Sequence, residues 1–132
     1  MCPLFGESIP VSIHTDGEEI QQDQLVALSR FLEIPADQRG LLTLPLFGDY
    51  RTIKDAVGEG PEIDTPDSVW QHVKWTTLLV PLQGPLGNRY VFVIGDPDWE
   101  EEHGVELLFR DERLVRLDRA EGAFLGKFWE LV

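Results

Sequence analysis

Apolar and polar positions alternate near the start of the chain, where Ile9, Val11 and Ile13 are interleaved with Pro10, Ser12 and His14. A period of two puts alternate side chains on opposite faces, so this segment predicts a first strand with one apolar face. The period then lengthens. Over Gln21 to Glu33, Leu25, Leu28, Phe31 and Leu32 fall at helical spacing, with Gln22, Asp23 and Arg30 on the other side. Before this helix, Thr15-Asp16-Gly17-Glu18-Glu19 reads as a turn whose acids suit the positive end of a helix dipole. Pro35 stops the helix. A second helix is predicted from near Pro45, because proline suits a first turn and Leu46, Tyr50, Ile53 and Val57 then recur every three or four positions. Ala36 to Leu44 reads as a further helical turn. Gly58-Glu59-Gly60-Pro61 ends the second helix, and residues 58–68 form a polar connection too short to separate two domains.

The second half changes to short apolar runs. Val73 to Gln83, Arg89 to Ile94, Val105 to Arg110 and Arg113 to Leu117 read as four strands, the last two joined by a tight turn at Asp111-Glu112. Consecutive strands with short turns make an antiparallel meander. The tail, Ala123 to Val132, is rich in aromatics and is expected to pack back on the sheet. The pattern therefore predicts one α+β domain over residues 1–132. Its sheet is largely antiparallel, with four or five strands, and two or three helices pack on one face.

Charge narrows the function. The chain carries 24 acidic and 11 basic residues, a formal net charge of −13. Phosphate binding needs a basic face, so nucleic acid is not an expected partner, and anionic membrane surfaces are disfavoured for the same reason. A basic protein partner fits the charge. The single cysteine, Cys2, cannot form an intramolecular disulfide, Met1 to Pro10 lacks the pattern of a signal peptide, and no apolar run is long enough for a bilayer. A cytoplasmic location is expected.

Catalytic motifs fail on inspection. Gly122 to Lys127 resembles a phosphate loop but is one residue short, and Phe128 stands where a serine or threonine would bind magnesium. No nucleophile elbow surrounds Ser8, Ser12, Ser29 or Ser68. His14, His72 and His103 form no H-x-x-x-H pair. No catalytic residue, cofactor or metal site is expected.

One segment stands out. Asp96-Pro97-Asp98-Trp99-Glu100-Glu101-Glu102-His103-Gly104 lies between the second and third strands of the meander and concentrates five carboxylates, a histidine and a tryptophan. It can be a solvated hairpin loop in which Trp99 tucks onto the core, Gly104 supplies a permissive backbone angle and His103 bonds a loop carboxylate. It can instead be an acidic docking face made by Asp96, Asp98, Glu100, Glu101, Glu102 and His103, with Trp99 as its aromatic anchor. A third reading, a cation held by Asp98, Glu102 and His103, matches no known loop spacing. The alternative to a binding role is a metal-dependent or hydrolytic enzyme using Glu102 and His103.

The stretch from Tyr90-Val91-Phe92 through Asp98 to Leu107, and on to Leu114-Val115, resembles a family of small bacterial proteins of unknown function. Their mark is a Trp-x-x-Glu-His-Gly motif between two strands, matched here by Trp99, Glu102, His103 and Gly104. Val69 to Val73 and Leu78 to Pro81 fit the same pattern, so the resemblance covers roughly residues 68–118. It implies no activity. Some small acidic bacterial domains of this class are immunity proteins, which makes masking of a basic toxin the most concrete expectation.

Overall fold

Two neighbouring segments, Tyr90-Val91-Phe92-Val93-Ile94 and Val105-Glu106-Leu107-Leu108-Phe109, are apolar at nearly every position rather than at every second one. A strand of that kind must be covered on both faces. The computed structural model, which describes residues 1–132, shows how this is met. Five strands, β1 (Val11–Ile13), β2 (Val73–Val80), β3 (Tyr90–Pro97), β4 (Val105–Arg110) and β5 (Arg113–Arg119), lie in the order β1-β2-β3-β4-β5. The β2–β3, β3–β4 and β4–β5 pairs are antiparallel, and β1 joins β2 in parallel. The molecule is α+β, as the pattern predicts.

One face is covered by the helices α1 (Gln22–Leu32) and α2 (Gly40–Val57). Ala27 and Phe31 of α1 and Leu42, Leu46 and Tyr50 of α2 pack with Val91, Val93, Val105, Leu107 and Phe109. The other face is covered by the tail. Leu79, Tyr90, Phe92 and Leu108 form a smaller cluster with Phe128, and Phe124 and Trp129 pack against it. No helix is long and apolar enough to cross a membrane.

Several expectations need correction. Leu25 is 44% exposed, whereas Gln24 is fully buried. Gln24 succeeds there because its amide is fully used. Its Nε2 donates to the carbonyls of His14 (2.7 Å) and Pro81 (3.2 Å), and its Oε1 accepts from the Gln21 N–H (2.9 Å). Helix α2 begins at Gly40, and Pro45 lies inside it. It ends at Gly58, whose φ of 77° is a left-handed cap free of strain only for glycine. Val11 and Val57 are exposed rather than buried. Bulges at Thr76 and Val115 shift the register of β2 and β5.

Strand β3 also runs further than expected. Gly95, Asp96 and Pro97 pair with Trp75, Lys74 and Val73, so Asp96 and Pro97 belong to the ladder and the turn itself starts at Asp98.

Candidate functional site

The turn between β3 and β4 is fixed at both ends by backbone geometry. The Asp98 N–H donates to the His72 carbonyl at 2.8 Å, and the Glu100 N–H to Pro97 at 3.2 Å. Gly104 closes the turn with φ 73°, and a Cβ there would meet the Gly95 carbonyl oxygen at 2.9 Å. Glu100 caps the turn from within. Its Oε1 accepts the N–H groups of Glu102 (3.1 Å) and His103 (3.3 Å), and the His103 ring Nδ1 lies 3.4 Å away. Burial works against its charge, but these donors outweigh burial and hold its carboxyl below the usual range.

Trp99 is buried, at 6% exposure, and packs edge-on against Tyr50 with ring centroids 5.7 Å apart. It cannot serve as the exposed anchor of a docking face. It anchors the turn to α2 instead, because its indole N–H donates to Asp49 Oδ2 at 2.9 Å. The other Asp49 oxygen accepts from the Arg119 guanidinium of β5. Arg119 Nη1 stands 4.0 Å from Glu100 Oε2, too far for a hydrogen bond, and is otherwise without a partner. Asp49, Trp99, Arg119 and Glu100 thus join helix, turn and edge strand in one largely buried network.

The remaining acids face outward. Asp98 pairs with His72 at 2.9 Å. Asp96, Glu101 and Glu102 are exposed and have no cationic partner within ion-pair distance. His103 is exposed and turned toward Glu100, not Glu102. No three His, Cys, Asp or Glu side chains are placed to hold a metal ion. A cleft of about 370 Å³ lies elsewhere, between Leu41, Leu42 and Pro45 of α2 and Leu114 of β5. No residue of the turn lines it.

A family model described as a domain of unknown function, DUF6985, matches residues 1–125. The chain belongs to this family. No curated protein and no solved structure matches it. The DUF6985 match spans all five strands, both helices and the whole β3–β4 turn, while residues 126–132, with Phe128 and Trp129, lie beyond it.

Three residues of this DUF6985 domain escape a reading of the sequence. Asp49 and Arg119 carry no local signal, since each acquires its role from a partner 70 residues away in the chain. Glu106 did leave one, a lone charge inside an apolar strand. It is 3% exposed, and its Oε1 has no hydrogen-bond partner. Burial pushes its carboxyl up to about 7, against the opposing pull of Arg116.

Proposed function

We propose that the domain is a non-catalytic module that binds a basic protein through the exposed carboxylates of the β3–β4 turn. The observation that carries this reading is the division of labour among the acids. Glu100 turns inward to fix the turn, while Asp96, Glu101 and Glu102 are exposed without cationic partners. A rigid display of like charges is a disadvantage for stability and an advantage for electrostatic steering. With a net charge of −13 behind it, such a face would attract a cationic surface over several ångströms. Rim charges of this kind act mainly on the association rate.

The most concrete form of the proposal is a bacterial immunity-type protein that masks a basic toxin. The Trp-x-x-Glu-His-Gly motif then marks the scaffold of the turn rather than its contact surface. Cys2 is buried and unpaired, which suits the cytoplasm. The test is capture of the partner from the source cell, followed by association kinetics of the purified pair with Glu101→Gln/Glu102→Gln. An unchanged association rate sinks the proposal.

A further inference from the structure

The sheet face opposite the helices is closed in an unusual way. Residues 120–132 lie across it as two short 3-10 turns, Ala123–Leu125 and Phe128–Leu131. Their backbone hydrogen bonds are local, from Leu125 to Gly122, Gly126 to Ala123 and Glu130 to Lys127. No side chain of this segment makes a hydrogen bond or ion pair with the sheet. It is held by ring contacts. Phe128 meets Tyr90 at 5.1 Å and Phe92 at 5.3 Å between centroids, and Phe124 meets His14 at 5.3 Å.

The seating is incomplete. A cleft of about 290 Å³ remains between Phe124, Phe128 and Trp129 on one side and His14 and Gln83 on the other. Two buried polar atoms on this face, the Tyr90 hydroxyl and Glu106 Oε1, have no hydrogen-bond partner. Glu106 pairs with Ile94 and Asp118 in the ladder, on the same face as Leu108. It is faced by Arg116 and Asp118 from β5 and by the backbone N–H groups of Glu121 and Ala123, where the segment begins. The charged partner Arg116 is itself engaged with Asp118 at 2.6 Å.

We propose that residues 120–132 form a displaceable strap, seated while Glu106 is neutral and lifted from the sheet when Glu106 is charged. A neutral carboxyl is tolerated beneath the first turn of the strap. A carboxylate there is buried, with one oxygen lacking a partner and only two backbone N–H groups and an already engaged Arg116 to offset the burial of its charge. Opening the strap hydrates it, at the expense of the ring contacts and of the approach of the Glu121 and Ala123 N–H groups to the carboxyl. The strap would then expose an aromatic sheet face built on Tyr90 and Phe92.

Fluorine NMR of the full chain labelled with 5-fluorotryptophan tests this directly. Trp70, Trp75 and Trp99 belong to the helix-side core, and only Trp129 belongs to the strap. The Trp129 signal, assigned with Trp129→Phe, should move toward the position of free tryptophan as pH rises from 4.5 to 8.5, with a midpoint between the carboxyl's ordinary 4.5 and its seated value of about 7. The other three should stay in place. Glu106→Gln should hold Trp129 in its low-pH position throughout, and Phe128→Ala should release it at both pH values. His14→Gln should leave the transition intact, because His14 touches Phe124 but not Glu106. A Trp129 signal indifferent to pH in the wild type overturns the proposal without any variant. So does a transition that persists in Glu106→Gln or vanishes in His14→Gln.

Discussion

Trp99 donates its indole N–H to Asp49, 50 residues earlier in the chain, and this bond at 2.9 Å fixes the acidic turn to helix α2. Asp49 at the same time accepts from Arg119, and both side chains are well buried, at 13% and 16% exposure. Removing Asp49 therefore leaves a guanidinium and an indole N–H without their acceptor. Asp49→Ala is expected to destabilise the fold by about 3 kcal/mol, as loss of one member of a buried pair does. Trp99→Phe keeps an aromatic ring against Tyr50 but loses the N–H and part of the indole's volume, for about 2 kcal/mol. Urea denaturation of both single variants and the double variant measures the coupling. Effects that simply add would show that the two residues act independently.

Gly104 provides a second check on the rigidity of the turn. Its φ of 73° already disfavours any side chain, and a Cβ would press on the Gly95 carbonyl oxygen at 2.9 Å. Backbone cannot yield as a flexible side chain does. Gly104→Ala should cost about 2 kcal/mol, while Gly17→Ala, at a similar positive φ with nothing within 4 Å, should cost about 1 kcal/mol. Thermal denaturation of the two variants gives the comparison. Equal losses would mean that the contact with Gly95 contributes nothing.

Stability should fall as pH rises from about 4.5 to 7, and Glu106 gives the reason. Its carboxyl is raised from the ordinary 4.5 to about 7, first by burial and then by Asp118, with Arg116 and nearby backbone N–H groups pulling the other way. Below about pH 4.5 both folded and unfolded chains hold the proton and the group contributes nothing to a difference. Between pH 4.5 and 7 the unfolded chain ionises first, so the unfolded state is favoured progressively. Above 7 the loss is complete, up to about 3 kcal/mol at about 1.4 kcal/mol per unit. Glu100 and Asp111 are held below their ordinary values, so their contribution is present above the usual carboxylate range and is lost as pH falls through their lower folded values. The two trends together place maximum stability in mildly acidic solution. Glu106→Gln should flatten the limb between pH 4.5 and 7 in denaturant titrations. An unaltered slope would assign that limb to other groups.

The elements were legible wherever local pattern decides them. Val105 to Arg110 is a strand at the expected bounds, and Gln21 to Glu33 contains α1, because short apolar runs and helical spacing act within a few residues. What the pattern misjudged is where a tertiary partner overrides it. Gln24 displaces Leu25 from the core because two carbonyls from other segments satisfy its amide. Pro45 sits inside α2 although proline usually opens a helix. The acidic segment was visible as a candidate, and so was Trp99 tucked onto the core as one of its readings, but the inward turn of Glu100 was not. The hydrogen bond that holds Trp99 is accepted by Asp49, which lies far away in sequence and is itself paired with Arg119.

The outward carboxylates lead to the last prediction. Glu100 bonds two backbone N–H groups, so changing it would disturb the turn as well as its charge. Glu101 and Glu102 are exposed and make no ion pair, which makes them the proper probes of steering. Glu101→Gln/Glu102→Gln should leave stability within about 0.5 kcal/mol, as expected for surface sites. If the face docks a basic protein, association of the wild type should be fast in low salt. It should slow as the screening length contracts from about 10 Å at 0.1 M to about 3 Å at 1 M. The doubly substituted protein should bind several-fold more slowly in low salt and show a shallower dependence on ionic strength, with the two proteins converging at 1 M. The dissociation rate should change little, since rim charges act on encounter more than on the lifetime of the complex. Stopped-flow kinetics across that salt range separates the two rates. Parallel salt curves for both proteins would place the docking surface elsewhere and leave the charge of the turn to solubility.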